Sequence, residues 1–343
     1  MKKLLTVLLV AALAVSAQAK IVYLNNNVQK DASKNLFNNM TDAYAACTTP
    51  GDTIYVEGSV HGYGSLNISK KITLIGPGFL LTENSQTHVN KTVAYFNDLN
   101  LNSGSEGTLI KSLVISEYGA WISIFTDNIT IENCYFVNGI TLSKNKDANL
   151  FNIIVRGCYF HSTDANIGYG WGYDGIIDNL VFSNNILNGE FHLPSGSKGI
   201  ISNNLFKSDV FKPKTTSAIE IINNIFLGDN PDEISMQPLP NSAVSHNLSI
   251  SNLFGSDNNN LEFVTESTIF IGSEGNSTDG QYQLAASSPA RNAGKNGVDI
   301  GPFGGPEPYR LSGLPFLPNI YEISTGGFVV GDRLPVHIKI KQQ

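Results

Sequence analysis

Short apolar segments recur along the chain from about residue 105, separated by turns rich in Gly, Asn and Asp. Each segment closes on a similar tripeptide, and the tripeptides recur every 19 to 27 residues with no helical periodicity between them. This pattern predicts a solenoid, because a single coil of this length cannot bury its own apolar face. The tripeptides are Leu113-Val114-Ile115, Cys134-Tyr135-Phe136, Cys158-Tyr159-Phe160, Asn185-Ile186-Leu187, Asn204-Leu205-Phe206, Asn224-Ile225-Phe226 and Asn247-Leu248-Ser249.

The first position of the tripeptide holds Cys on two coils and Asn on the four that follow. Equivalent residues of stacked strands lie about 4.8 Å apart, and stacked Asn side chains can hydrogen-bond along the stack. We therefore predict an internal ladder at a turn, in which Cys134 and Cys158 are small buried side chains. A disulfide between neighbouring coils is the alternative for these two residues. The predicted ladder consists of Asn185, Asn204, Asn224 and Asn247.

The N-terminal part of the mature chain has a different pattern. Phe37, Met40, Tyr44 and Cys47 lie at helical spacing, which predicts one short helix over residues 34–47. The open end of a stacked sheet exposes unpaired backbone groups and has to be covered. We therefore predict that this helix caps the solenoid and that Asp52–Val56 begins its first strand.

The pattern of apolar and polar residues changes again after Gly305. Several prolines indicate an extended connection, and residues 321–323 and 334–340 have the alternation of strands. We interpret residues 20–305 as the solenoid with its N-terminal cap. Residues 306–343 are then a small β appendage that caps the solenoid or docks outside the cell, with export or surface attachment as a further hypothesis for this tail.

Two segments resemble parts of a known superfamily. The run Pro50-Gly51-Asp52-Thr53-Ile54-Tyr55-Val56, with Gly62-Tyr63 and KKITLIGPG at residues 70–78, resembles the N-terminal beginning of the pectin-lyase-like β-helix proteins. Ser288-Pro289-Ala290, followed by Asp299-Ile300-Gly301 and Gly304-Gly305, is similar to the closing segment of β-helix proteins from Bacteroidetes-type bacteria.

The resemblance covers about residues 34–305. It implies an all-β fold, namely a right-handed, single-stranded parallel β-helix with an N-terminal capping helix. It is nearly silent on the reaction, because the superfamily contains lyases, hydrolases, epimerases, adhesins and phage tailspikes.

The first 19 residues have the features of a secretory signal peptide. Lys2 and Lys3 precede an apolar run from Leu4 to Val15 that is too short to span a bilayer. Ala17-Gln18-Ala19 matches a cleavage site. We therefore expect an exported protein, and no later stretch of the sequence is long and apolar enough to predict a membrane span.

Charge narrows the choice of partners. The chain has 22 Lys and Arg against 29 Asp and Glu, a formal net charge of −7. An acidic chain with few basic runs argues against nucleic-acid binding. Three cysteines are too few for a disulfide framework. The sequence gives no basis for an oligomeric state.

Three carboxylates stand five places after the ladder position on successive coils. Glu190, Asp209 and Asp229 would form a line, with neighbours about 5 Å apart if the register holds. Carboxyl groups at such distances can hydrolyse glycosidic bonds. Alternatively the three could hold Ca²⁺, or they are solvated turn residues, since Asp is common in turns.

His161 and Lys207 border the same line. A lyase needs a base near the sugar C5 proton and a cation for the uronate, and Lys207, Lys212 or Lys214 could supply the cation. The alternative is that the lysines only solubilise the surface.

The longest loop, between Phe160 and Leu180, could contact sugars. Tyr169, Trp171 and Tyr173 alternate with glycines there, and aromatic rings can stack on sugar rings. Asp164 and Asp174 could bond sugar hydroxyls. The alternative is that these aromatics cover the flank of the coil.

Known enzyme signatures are missing. The sequence lacks the polygalacturonase and pectate-lyase motifs, a P-loop, a dinucleotide fingerprint and zinc-type Cys/His spacing. Its four Arg are all outside the predicted groove. We therefore predict a secreted or cell-surface protein that binds polysaccharide and could cleave it as a glycoside hydrolase or a lyase. No cofactor is certain, and calcium is a candidate ion. A non-enzymatic adhesin or structural solenoid is the alternative.

Overall fold

The computed structural model describes residues 19–116, 120–142, 149–162, 167–168, 175–213, 218–230, 243–254, 257–327 and 332–341. In these residues nearly all strands are parallel and stack in three long sheets, so the chain is all-β and consistent with a parallel β-helix. From Ile72–Ile75 to Phe211–Pro213, each coil passes from the first sheet to the third and then to the second. No helix in these ranges is both long and apolar enough to cross a membrane.

The three sheets contain 11, 7 and 8 strands in the described part of the chain. In spatial order the first sheet consists of Leu36–Phe37, Ile21–Leu24, Asp52–Val56, Ile72–Ile75, Leu109–Lys111, Ile129–Glu132, Leu150–Arg156, Ile177–Ser183, Lys198–Ser202, Ala218–Ile222 and Ala243–Ser245. The second consists of Phe211–Pro213, Phe191–Leu193, Ile167–Gly168, Gly139–Leu142, Trp121–Ile124, Leu99–Leu101 and Leu66–Ile68. The third consists of Leu248–Ser249, Ile225–Phe226, Leu205–Phe206, Ile186–Leu187, Tyr159–Phe160, Tyr135–Phe136, Val114–Ile115 and Tyr95–Phe96.

The interior is filled by every second side chain of these strands. In the strand Ile129–Glu132, for example, Ile129 and Ile131 are buried while Thr130 between them is partly exposed. The third sheet contributes aromatic rings that stack from coil to coil, with centroids 4.7 Å apart for Phe136 and Phe160. The same rule of alternation sends the remaining side chains outward, where they can bind other groups.

The predicted Asn ladder is confirmed. Asn185 donates from its backbone N and its Nδ2 to Oδ1 of Asn204 at 2.9 and 3.0 Å. Asn204 repeats this with Asn224, and Asn224 with Asn247. The ladder also has a member that the sequence pattern did not reveal, because Asn247 donates from its backbone N to Oδ1 of Asn260 at 3.0 Å.

The cysteines occupy the expected slots on the earlier coils. The backbone N of Cys158 donates to Oδ1 of Asn185 at 2.9 Å, and that of Cys134 lies 3.5 Å from Sγ of Cys158. All three thiols are free and buried, so the disulfide alternative does not hold in this structure.

The residue before each ladder position turns the chain from the first sheet into the third. Asn184, Asn203 and Asn223 have φ values of 56°, 55° and 58°, in the left-handed region. Asn enters this region more readily than most L residues because its short side chain can hydrogen-bond locally. The Asn-Asn doublets of the sequence therefore combine a turn residue with a ladder residue.

The N-terminal helix is shorter than predicted. It spans Met40–Ala46 rather than residues 34–47, and the side chain of Asn39 caps its first turn. Before it, Ala32–Lys34 forms a separate 3₁₀ turn, and Leu36–Phe37 is a strand because it pairs in parallel with Ile21–Leu24. Met40 and Ala43 are the buried residues of this helix, and both belong to the main hydrophobic core.

The prediction that Asp52–Val56 is the first strand was wrong. Ile21–Leu24 precedes it and pairs with it in parallel from Ile21 opposite Thr53 to Leu24 opposite Val56. This strand alternates exposed Ile21 and Tyr23 with buried Val22 and Leu24. Four residues directly after the predicted cleavage site were too short a run to stand out from the sequence alone.

The outer face of the third sheet is covered by the C-terminal part of the chain. Tyr159, Ile186 and Leu205 on that face form one buried cluster with Tyr282, Ala290, Ile300 and Tyr309. The corner residues hold the same segment, since Asn184 Nδ2 donates to the carbonyls of Pro302 at 3.0 Å and Gly304 at 2.8 Å.

The closing motif is explained by this contact. Gly301 has a φ of 96°, and a Cβ atom on it would lie 2.5 Å from the side chain of Ile225. Only Gly fits so close an approach in this conformation. The segment from Ser288 to Gly305 is therefore the part of this C-terminal cover that is shaped to the corners of the coils.

The chain ends in an antiparallel hairpin, in agreement with the predicted strands of the appendage. Asn319–Thr325 pairs with Val336–Lys341, with a register shift between Ile320 and Glu322. Every residue of Val336–Lys341 is exposed. The hairpin is anchored to the coils where the backbone N of Val89 donates to the carbonyl of Ile320 at 2.8 Å.

Candidate functional site

The outer face of the second sheet presents a row of polar side chains. Asn67 pairs in register with Asn100, Asn100 with Ser123, and Ser123 with Thr141. All four are exposed or half-buried, and Asn100 Nδ2 donates to Asn67 Oδ1 at 2.9 Å. In the next strand the register position is held by Gly168, and beyond it the row resumes with His192 and Lys212, which are register partners on the last two strands of the sheet. We call this set the polar row.

A second register position of this sheet also faces outward, one residue before the buried residues Ile122 and Phe191, which share one register line across the sheet. Trp121 and Glu190 hold this second position on their strands, and we call it the second row. The backbone N of Trp121 donates to Oδ1 of Asp98 at 3.0 Å. The partly buried Trp121 adds an aromatic side chain to a face whose amide and hydroxyl groups can donate and accept hydrogen bonds.

Glu190 and His192 form a close pair on this face. Oε2 of Glu190 lies 2.8 Å from Nε2 of His192, and their side chains are 42% and 33% exposed. The pair spans both rows because the two residues are two positions apart on one strand edge. A carboxyl group and an imidazole at this distance can share and transfer a proton at the surface.

The structure brings Asp209 and Asp229 together but gives Glu190 a different partner. The backbone N of Asp229 donates to Oδ1 of Asp209 at 2.9 Å. Glu190 immediately precedes Phe191, whereas Asp209 lies two places before Phe211, the register partner of Phe191. Glu190 and Asp209 therefore do not occupy equivalent positions on their coils. In the described ranges no three His, Cys, Asp or Glu side chains gather closely enough to hold a metal ion. Glu190, Asp209 and Asp229 therefore do not form a three-carboxylate calcium site.

His161 and Lys207 lie at the rim of the third sheet. The ring of His161 packs on Tyr135, with centroids 5.6 Å apart. Nζ of Lys207 donates to the hydroxyl of Tyr282 and lies 4.8 Å from the centre of its ring. Lys207 therefore contacts the cover, whereas His161 packs on a strand of the third sheet itself, and both lie on the other side of the turn from the polar row.

The aromatic loop cannot be compared with its prediction. Tyr169, Trp171, Tyr173, Asp164 and Asp174 lie outside the described residues, as does Lys214.

Sequence reasoning missed most of the polar row. Its signal was present as a single polar residue between two apolar ones, in Leu66-Asn67-Ile68, Leu99-Asn100-Leu101 and Phe191-His192-Leu193. Such triplets are typical of strands with one solvent-exposed face. Their alignment could not be predicted because the loops between them vary in length.

Arg156, one of the four arginines, lies on the first sheet next to Glu132. Glu132 accepts from Lys111 Nζ and from Arg156 Nε, each at 2.8 Å. Burial raises the pKa of the Glu132 carboxyl, but the bonds with Lys111 and Arg156 outweigh burial and lower the pKa overall. This group is saturated by its own partners, which gives it a structural role.

A cleft of about 700 Å³ lies on the outer face of the first sheet near its N-terminal end. Its floor is formed by Tyr23, Tyr55 and Ile75, which are register partners on adjacent strands. The two tyrosine rings stack with centroids 6.0 Å apart. The opposite wall consists of Leu314, Pro315, Leu317 and Pro318, and one end is closed by His88, Val89, Asn319 and Ile320.

Comparisons with known proteins gave no relative. No protein-family model matches the chain, and neither the curated proteins nor the solved structures contain a similar one.

Proposed function

We propose that this protein binds an extended polysaccharide along the outer face of the second sheet. The polar row is the observation that supports the proposal most. Amide and hydroxyl side chains both donate and accept, which suits sugar hydroxyls. The row advances by roughly 4.8 Å per coil, so a linear chain of sugars can engage several coils at once. Trp121 supplies an aromatic surface beside the row.

Cleavage of the bound polysaccharide is the second candidate function, and the Glu190–His192 pair favours it. In a hydrolysis, Glu190 is the group that protonates the leaving oxygen, and the second carboxylate is Asp209 on the adjoining turn or Asp229 one turn further along. A lyase built on His161 and Lys207 is less favoured, because His161 packs on Tyr135 of the third sheet and Lys207 is bound to Tyr282 of its cover.

The finer family assignment belongs to the same proposal. We infer membership of the pectin-lyase-like superfamily, a right-handed winding of the coils, a capping role for the helix Met40–Ala46 and export of the chain. These inferences are supported by the motifs at residues 50–78 and 288–305 and by the signal-like residues 1–19.

Replacing Trp121 by alanine should weaken polysaccharide binding about tenfold, because an aromatic contact contributes on the order of 1 kcal/mol beyond its buried area. Affinity gels with plant, algal and host polysaccharides, each with and without calcium, would measure the retention. Phe263→Ala is the matched control, since Phe263 is an exposed aromatic outside the second sheet. Lack of retention by every polysaccharide, or equal loss in both variants, would contradict binding at this face.

Glu190→Gln should abolish cleavage and leave binding intact, because glutamine keeps the shape of the side chain but cannot transfer the proton. We expect new reducing ends from the unaltered protein and at least about 100-fold fewer from the variant. Glu274→Gln, at an exposed carboxylate elsewhere, is the control. Retention without reducing ends would place the protein among binding proteins and adhesins, and absorbance from unsaturated uronides would indicate a lyase.

A further inference from the structure

The cleft beside Tyr23 is apolar over most of its surface. Tyr23 is 49% exposed, and neither its hydroxyl nor that of Tyr55 has a hydrogen-bond partner among the residues that the structure describes. The volume of the cleft falls within the range of roughly 300 to 1,000 Å³ that is typical of occupied pockets.

The hairpin next to this cleft has one apolar face and one polar face. Ile320 pairs with Ile340 and Ile323 with Ile338 on the apolar face. Glu322 and Lys339 form an ion pair of 2.9 Å on the other face. Ile338 is 52% exposed, so the apolar face is largely uncovered.

A two-stranded hairpin of this kind is only marginally stable in water when its apolar face is bare. The hairpin and the cleft also belong to one continuous surface, because Ile320 is part of both. Most of the large apolar side chains that are exposed in the described ranges cluster here. They are Ile21, Tyr23, Val89, Phe316, Ile323, Leu334, Val336, Ile338 and Ile340.

We propose that two copies of this chain associate by reciprocal docking, the apolar face of each hairpin lying in the cleft of the other copy. The chain itself supplies both parts of this contact, a projecting aliphatic face and an apolar recess. Because the two parts are adjacent on one surface, a two-fold axis can satisfy both contacts at once and close the assembly as a dimer. The dimer covers the hairpin and fills the cleft. It is independent of polysaccharide binding, which uses the second sheet.

Light scattering coupled to size exclusion, and sedimentation velocity, would measure the mass of the purified protein at about 1 to 100 μM, where a dimer of ordinary interface size is populated. We expect a dimer. Ile338→Asp in the hairpin and Tyr23→Asp in the cleft should each raise the dissociation constant at least about tenfold, because each buries a charge in an apolar contact. Both positions are half exposed, and a single cooperative thermal unfolding transition would show that the variants still fold.

Mixing the two variants tests the reciprocal geometry. A mixed pair keeps one intact contact, that of an unaltered hairpin in an unaltered cleft, so a weaker dimer should return. Phe263→Asp is the control for a charge at an exposed aromatic position, and its dimer should persist. A monomer throughout the range, a dimer that tolerates both variants, or a mixture that stays monomeric would overturn the proposal.

Discussion

Replacing Asn204 by alanine should lower the free energy of unfolding by about 3 to 5 kcal/mol. Asn204 is fully buried, and its Oδ1 accepts from the backbone N and Nδ2 of Asn185. Its Nδ2 donates to the carbonyls of Phe182 and Ser202 and to Oδ1 of Asn224. Alanine leaves these groups buried without partners, and each such group costs about 1 to 3 kcal/mol.

Denaturant unfolding would measure this loss. Asn67→Ala is the matched control, because Asn67 also bonds to the Asn of the next coil but does so at the exposed surface. It should change stability by less than about 0.5 kcal/mol. If Asn204→Ala were no worse than Asn67→Ala, the ladder would follow the fold without stabilising it.

The Asn204→Asp variant adds a test with a defined pH dependence. Its carboxylate would face two carbonyls and an amide oxygen, and burial would raise its folded pKa above the unfolded value of about 3.9. The neutral form therefore fits the folded state. Stability of this variant should be highest at acid pH and fall as the pH rises through the folded pKa, whereas Asn204→Ala should show no such added slope.

The ladder could be predicted from the sequence because it depends on a single requirement repeated at one place in every coil. Asn204 and Asn224 must hold the same position, since each has to reach the next residue along the stack. The tight corner before them varies little in length, so the register survives in the sequence. Asn260 could not be predicted as a ladder residue because it follows Asn247 by only 13 residues, which is shorter than the spacing of the other repeats.

The outward surfaces could be predicted much less well. The turn that carries Glu190 is one residue shorter than the turn that carries Asp209, so counting from the ladder misplaces the second sheet by one position. One residue of slip in a strand reverses which side faces outward. Glu190 therefore holds a different register position from Asp209, and its partner is His192, two places further along its own chain segment.

The cover of the third sheet was hidden for another reason. Its contacts join residues that are far apart in the sequence, such as Asn184 with Gly304 and Asn84 with Asp279. No local pattern encodes such a pair. The closing motif was visible in the sequence, but the corner Asn residues that it binds also have a local explanation as turns.

Asp279 is where this cover is fixed to the early coils, and Asp279→Ala should destabilise the protein by about 3 kcal/mol or more. The carboxylate is fully buried. Oδ1 accepts from Asn84 at 3.0 Å and Ser277 at 2.8 Å, and Oδ2 accepts from the backbone N of Ser312 at 2.7 Å. Removing a buried charged acceptor leaves these donors unpaired, which costs more than the loss of neutral bonds.

Tyr309 shows why the carboxylate matters at this position. Its hydroxyl lies 3.3 Å from Oδ2 of Asp279. Burial, and then the charge of Asp279, raise the pKa of Tyr309 well above its usual value, so the phenol keeps its proton and can donate it in a hydrogen bond. Asp279→Asn should recover only part of the stability, because its amide offers a donor where the surroundings already supply donors.

Hydrogen exchange would show how the loss is distributed. The backbone N of Phe79 donates to the carbonyl of Ser312 at 2.8 Å, and the backbone N of Ser312 donates to Asp279. The amides of Phe79 and Ser312 should therefore both exchange faster in Asp279→Ala if the cover detaches locally. Glu274→Ala, at an exposed carboxylate of the same segment, should leave both amides protected. Faster exchange confined to the cover would make it a separate unit laid on a self-supporting solenoid. Equal acceleration in the core strands would mean that the third sheet needs its cover to stay folded, because Tyr159, Ile186 and Leu205 would otherwise face water. Unchanged stability and exchange would contradict the assignment of Asp279 as the anchor.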